Sequence, residues 1–154
     1  MEPVSVTPTQ PANYAVLTLT YTSLLSAVAY GSRRHSPLDR SELVPLAAAS
    51  FALAKLIGKE KVETWVRQPF VDELPDGRRP KGGGMRYAVG ELLTCTRCLG
   101  AWTALGLVSL RLNVPEVGRT VTTVLATSAG NDFLQSGFTW LCARSEVQKA
   151  QVGD

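Results

Sequence analysis

Long stretches of this chain carry no charge while its basic residues crowd into one block, and that segregation restricts the fold more than any average does. Eight of the sixteen Lys and Arg (Lys59, Lys61, Arg67, Arg78, Arg79, Lys81, Arg86, Arg97) fall between positions 58 and 97, whereas the seventeen residues from Tyr14 to Tyr30 hold none. With 45% hydrophobic and 19% charged residues, an evenly mixed chain would suit a soluble domain. Separation suits a membrane protein instead. A helix crossing the hydrocarbon core needs roughly 17 to 25 apolar residues and leaves its charges in the loops.

Four runs follow that rule, and they predict an all-α polytopic membrane protein with about four transmembrane helices. The expected helices cover about 14–30, 43–57, 94–112 and 117–142, in a single membrane domain spanning 14–143. Residues 1–13, rich in Pro and Thr, are expected to be disordered, and 144–154 forms a polar tail. The 43–57 run is short, so a helix lying on the membrane surface competes with a crossing one there. Residues 58–93 form a basic loop. Val62, Trp65, Val66 and Phe70 recur at helical spacing and predict a short amphipathic helix in it, followed by a flexible Pro- and Gly-rich stretch from Pro75 to Gly84.

Counting charges orients this arrangement. With the loop inside, its eight cations join Arg144 and Lys149, ten in all, against five outside (Arg33, Arg34, Arg40, Arg111, Arg119). The positive-inside rule then places both termini and the loop in the cytoplasm of a multi-pass cell-membrane protein. The expected partners are the lipid bilayer and a protein partner or a second copy of the chain. Nucleic acid is not expected, because the net charge is only +3 and the basic residues lack interleaved aromatics. No basic segment precedes the first apolar run, so a cleavable signal peptide is not expected.

Chemistry concentrates at Gly90-Glu-Leu-Leu-Thr-Cys-Thr-Arg-Cys-Leu-Gly-Ala-Trp102. Cys95 and Cys98 lie one helical turn apart near a helix start, where backbone N–H groups, the helix dipole and Arg97 all favour a thiolate. Such a pair serves as a dithiol redox centre, as half of a metal site, or simply as packing. Zinc would want four ligands. Cys142 returns to the same membrane face in the four-span topology, and Glu91 is a further candidate, whereas His35, the only histidine, falls on the opposite face. In the last run, Asn131, Asp132 and Gln135 place a polar stripe at membrane depth, either a clasp between helices or a proton or ion relay. Gly100 and Ala104 form a small-xxx-small pair for helix packing, and Trp102 and Trp140 read as interface anchors.

These residues resemble the domain of unknown function 1360 family of small bacterial integral membrane proteins. The likeness covers roughly positions 43 to 141 and is strongest where Gly90 to Trp102 is similar to the family's Gly-x-Leu-Leu-x-Cys-Pro-x-Cys-x-x-x-Trp signature. Leu53-Ala-Lys-Leu-Ile57 with Glu60 and Arg67, and the Asn131-Asp132 pair, resemble further family positions. Ala52 and Lys55 stand where arginines are usual, and Thr96-Arg97 where Pro and an aromatic are usual. The resemblance implies a membrane fold and no particular activity. With one histidine in an outward loop, no Ser-His-Asp or Cys-His arrangement can be drawn, and the expectation leans away from an enzyme. The expected role is a noncatalytic scaffold or regulatory membrane protein whose thiol pair is structural or metal-binding. The alternative is a thiol-based redox or metal-handling protein using Cys95 and Cys98.

Overall fold

Asp39 starts the helix from which the rest of the fold is hung. Its carboxylate accepts the Ser41 N–H at 2.8 Å, and the Glu42 carboxylate accepts the Asp39 N–H at 3.2 Å, a reciprocal capping box. The single turn Arg40–Glu42 leads into α2 (Leu43–Lys59), with Pro45 in the first turn, where a missing N–H leaves no bond unmade. The computed structural model describes residues 10–35 and 37–152. In chain order it contains α1 (Pro11–Ser32), α2, a short α3 (Thr64–Arg67), β1 (Val71–Leu74), β2 (Gly77–Pro80), α4 (Gly84–Thr94), α5 (Thr96–Asn113) and α6 (Pro115–Val152).

The core lies where α2, α5 and α6 meet. Leu46, Ala49 and Leu107 are buried at its centre, with Leu53, Val108, Val121 and Leu125 packed around them. Small residues allow this approach: Gly118 sits against the Arg111 backbone, where any Cβ would collide, and so sets the tight α5–α6 turn. Thr103 donates to the Ser50 carbonyl at 3.1 Å and ties α5 to α2 at mid-height. At the start of α2, Arg111 donates through Nε and Nη2 to one Glu42 oxygen, at 2.9 and 2.7 Å.

The other end of α2 is capped by two arginines. The last turn of a helix leaves carbonyls without intrahelical partners. Fully buried Arg67 donates to the carbonyls of Ile57 and Glu60, the latter at 2.9 Å, and Arg78 donates to those of Gly58 at 2.7 Å and Lys59 at 2.8 Å. Glu73 braces both guanidinium groups, accepting Arg67 Nη2 on one oxygen at 2.9 Å and Arg78 Nε on the other at 2.7 Å. Glu73 and Arg78 face each other across an antiparallel hairpin, β1 with β2, turned at Pro75-Asp76. Gly77 takes the positive φ of 142° that the exit from this turn requires.

Two expectations are corrected here. The chain is mostly helical and not all-α, because the stretch expected to be a flexible loop from Pro75 folds into the hairpin. Nor are there four transmembrane helices. Among the described residues, Arg40–Lys59, 20 residues long, is the one helical stretch long and apolar enough to cross a membrane. The α4–α5 pair counts as at most a second, and it is bent by 88°. Hydroxyl side chains make up nearly half of Tyr14–Tyr30, and Asn131, Asp132 and Gln135 interrupt α6. Being uncharged is a weaker condition than being apolar. The count of ten cations inside against five outside depended on four crossings and lapses with them.

The remaining boundaries differ locally. Residues 1–9 of the N-terminal segment lie outside the described residues, and α1 begins at Pro11. The 58–93 loop holds α3, the hairpin and α4. Helix α6 continues through most of the expected polar tail to Val152, with 153–154 outside the described residues.

Candidate functional site

The thiol pair sits at an elbow built from three sides. Gly82 and Gly84, at φ of 69° and 61°, turn the chain from the hairpin into α4, and Gly90 lets α4 lie against Phe70 and Pro80, where a Cβ would come within 2.5 Å of the Phe70 carbonyl oxygen. Helix α4 stops at Thr94, whose hydroxyl donates to the Glu91 carbonyl at 3.0 Å. Cys95 is extended, at φ −92° and ψ 98°, and the chain leaves it at a steep angle as α5. On the third side, Gly58 of α2 packs against Thr96 and Leu93.

Cys95 is thus the N-cap of α5, with sulfur in the place usually taken by a Ser or Asp oxygen. Its Sγ accepts the Cys98 backbone N–H at 3.3 Å. Both thiols are free, Cys95 half-buried and Cys98 exposed. Their environments push them apart. Burial opposes ionisation of Cys95, but the Cys98 thiol and backbone, the Arg97 N–H and the Arg97 charge outweigh it, so Cys95 titrates below the ordinary cysteine value. Desolvation of the Cys98 thiol, then the proximity of Cys95 and the negative charge of Glu91, push Cys98 up to about 11. The two thiols of the pair are therefore unlike, Cys95 the more acidic and Cys98 the less.

The other candidates are dispersed. Glu91 accepts a hydrogen bond from the Tyr14 hydroxyl of α1, and desolvation together with that bond pushes Tyr14 up to about 12. Cys142 is exposed on the distal half of α6. Among the described residues no three His, Cys, Asp or Glu side chains come close enough together to hold a metal ion. Asp132 pairs with Lys55 of α2 at 2.9 Å, and Lys55 also lies 3.6 Å from Glu60. Asn131 and Gln135 are exposed. Trp102 meets Tyr21 of α1 edge-on, ring centroids 5.3 Å apart, and Trp140 is exposed under the Arg144 guanidinium.

Gly100 and Ala104 face an open space. A Cβ at Gly100 would meet no heavy atom within 4 Å, and the pair lines a groove of about 690 Å³ between α2 and α5. Sequence reasoning missed this groove and also the Arg67–Glu73–Arg78 cluster. A signal for the cluster was present in Pro75-Asp76-Gly77, a hairpin turn signature flanked by acidic residues on one side and basic ones on the other.

The family model described as "Protein of unknown function (DUF1360)" matches residues 45–138, more than half of the chain. The chain belongs to this family. The DUF1360 match takes in α2 from Pro45, the elbow with Cys95 and Cys98 at their Cys-x-x-Cys spacing, and Asp132. It leaves out α1 and Cys142. Sporulation protein YjcA of Bacillus subtilis (strain 168) is 31% identical over 93 residues, which cover 54% of this chain and 79% of that protein. No solved structure matches.

Proposed function

We propose that this chain is a membrane-associated, noncatalytic DUF1360 protein that enters the bilayer through α2 and scaffolds or regulates a partner with its polar lobe of hairpin and α4. The observation that carries this reading is the exposed apolar surface. Leu19, Leu24 and Leu25 of α1, Val44 of α2, and Leu134, Phe138 and Leu141 of α6 are exposed, Val44 at 77% and Leu134 at 74%, and the Phe51–Phe133 stack that joins α2 to α6, ring centroids 5.5 Å apart, leaves both rings largely exposed as well. Apolar exposure on this scale is unusual on a soluble monomer and marks contact with lipid or protein. The polar lobe supports the noncatalytic part. Its charges pair within the lobe: Arg67 and Arg78 with Glu73, Lys81 with Asp72, Arg86 with the Pro69 carbonyl and, at the exposed turn, Arg79 with Asp76.

A second reading rests on the asymmetry of the thiols. Cys95, the more acidic of the two, attacks as its thiolate one sulfur of a protein disulfide and releases the other as a thiolate. Cys98 then gives up its proton and attacks Cys95, leaving a Cys95–Cys98 disulfide here and two reduced sulfurs on the partner.

The deciding experiment fractionates cells making the full chain and its Cys95→Ser, Cys98→Ser double variant, with an alkaline carbonate wash of the membranes. Both proteins are expected in the washed membrane pellet in equal amounts, with the same unfolding temperature and no bound zinc. Recovery in the soluble fraction would overturn membrane association. Recovery in membranes with loss of stoichiometric zinc, or of mixed disulfides trapped on a partner, in the double variant would replace the noncatalytic reading with the thiol one.

A further inference from the structure

The groove between α2 and α5 has two unlike ends. The helices run antiparallel, Gly58 lying against Thr96, so Lys59, Thr96 and Arg97 gather at one end, while Leu46, Ala47 and Val108 line the other. Its walls are mostly apolar, and its volume of about 690 Å³ is within the range of small-molecule sites, roughly 300 to 1,000 Å³. From Lys59 to Leu46 the groove follows thirteen residues of α2, roughly 20 Å at 1.5 Å per residue. That exceeds one leaflet's hydrocarbon depth, about 15 Å.

The polar end is cationic. Lys55 is answered by Asp132 and Glu60, whereas among the described residues Lys59 and Arg97 pair with no carboxylate, the Arg97 charge acting only on the neighbouring Cys95 thiol. The C-terminus of α2 ends here, and its carbonyls would ordinarily repel an anion. They do not, because Arg67 and Arg78 occupy the carbonyls of residues 57 to 60. The N-terminus of the 18-residue α5, with its positive dipole end, faces the same mouth.

We propose that this groove binds one acyl chain of an anionic phospholipid, with the headgroup phosphate held between Lys59 and Arg97 and the chain laid along Ala47, Gly100, Ala104 and Val108. The site rests on the membrane-associated reading above, since a bilayer supplies the ligand. It adds a lipid class and a location that reading does not contain. Gly100 matters because a Cβ there meets no heavy atom within 4 Å, so a side chain at this position would extend into the groove rather than into the packed backbone.

The test titrates the full chain, purified in neutral detergent, with a phosphatidylglycerol carrying a photoactivatable acyl chain, against the phosphatidylcholine analogue, and maps the crosslinks. Phosphatidylglycerol is expected to label the groove-lining segments of α2 and α5, and phosphatidylcholine to label them far less. Lys59→Gln with Arg97→Gln should weaken labelling about 30-fold, roughly fivefold for each ion pair with the headgroup phosphate. Gly100→Leu should abolish it with an unchanged unfolding temperature, and Arg33→Gln with Arg34→Gln, remote from the groove, should leave it intact.

Equal labelling by both lipids, labels elsewhere, or full labelling of Gly100→Leu would overturn the site. So would native mass spectrometry showing a lipid-free dimer that Gly100→Leu converts to monomer, which would make a second copy the occupant. Membrane pelleting with none of this labelling removes the lipid site alone. Solubility without membranes removes the reading beneath it.

Discussion

Replacing Arg67 by Met keeps most of its volume and removes its charge, and so isolates what the guanidinium does at the end of α2. Arg67 is fully buried, and its five N–H contacts reach the carbonyls of Ile57 and Glu60, the Thr64 hydroxyl and, twice, one oxygen of Glu73. In the Met variant Glu73 keeps Arg78 at 2.7 Å, so no charge is stranded. Two helix-end carbonyls in a buried site lose their donor, at about 1–3 kcal/mol each. The expected loss is about 3–5 kcal/mol, near that for breaking a buried ion pair. For a chain of this length it lowers the unfolding temperature by roughly 10 °C.

Arg78→Met should cost less, about 1–2 kcal/mol, because its side chain is partly solvated at 25% exposure. Arg67→Lys should fall between the two, since one ammonium cannot reach carbonyls and carboxylate together. Thermal and chemical unfolding of the purified variants in one detergent gives the order directly. An Arg67→Met protein within 0.5 kcal/mol of the parent would refute the idea that this arginine fastens the hairpin to α2.

The hairpin carboxylate has its own signature. The hydrogen bond from Arg78, with a further contribution from Arg67, holds Glu73 below the usual carboxylate range despite partial desolvation. Its contribution is therefore complete above the ordinary glutamate value and lost as pH falls through the lowered one, and Glu73→Gln should flatten that acid limb of the stability profile. Gly118→Ala should destabilise by about 1–3 kcal/mol in the same unfolding assay, because the new methyl meets the Arg111 backbone. Maleimide or iodoacetamide labelling at pH 7.5, read by mass spectrometry, should modify Cys95 before Cys98, with Cys98 catching up only toward its value of about 11. A double-mutant cycle on Lys55→Gln and Asp132→Asn should give a coupling below about 1 kcal/mol, since both side chains are about one-third exposed.

Local signals in this chain report local structure well. The run from Leu43 is part of α2 and a helix starts at the cysteines, each through capping chemistry written within a few residues, whereas the last helix begins at Pro115, two residues before the expected 117. The errors arise where the meaning of a residue depends on a distant partner. The basic block reads as a cytoplasmic loop, yet four of its eight cations (Arg67, Arg78, Arg79 and Lys81) meet Asp72, Glu73 and Asp76, acids from the same stretch folded back by the Pro75-Asp76 turn. Arg67 sits at helical spacing among apolar residues, and nothing in that spacing shows it reaching back ten positions to Ile57. The number of crossings fails for a different reason. Thr, Ser and Tyr hydroxyls return to their own helix, as Thr20 does to the Val16 carbonyl at 2.8 Å, which satisfies them without making the segment apolar. At the candidate site, the cysteine spacing and the helix start are visible in sequence, whereas the groove is made by residues of α2 and α5 some fifty positions apart, such as Leu46, Ser50, Gly100 and Ala104.

The most direct test of membrane association places single nitroxide labels at Val44, Phe51, Leu24 and Phe138 of the full chain in lipid vesicles and compares their collision rates with oxygen and with a water-soluble nickel chelate. Membrane association through the exposed apolar surface predicts oxygen-rich, nickel-poor labels at Val44 and Phe51 of α2, with a label at exposed Asp76 in the hairpin turn showing the reverse. Nickel access at all five positions equal to that in solution would contradict it.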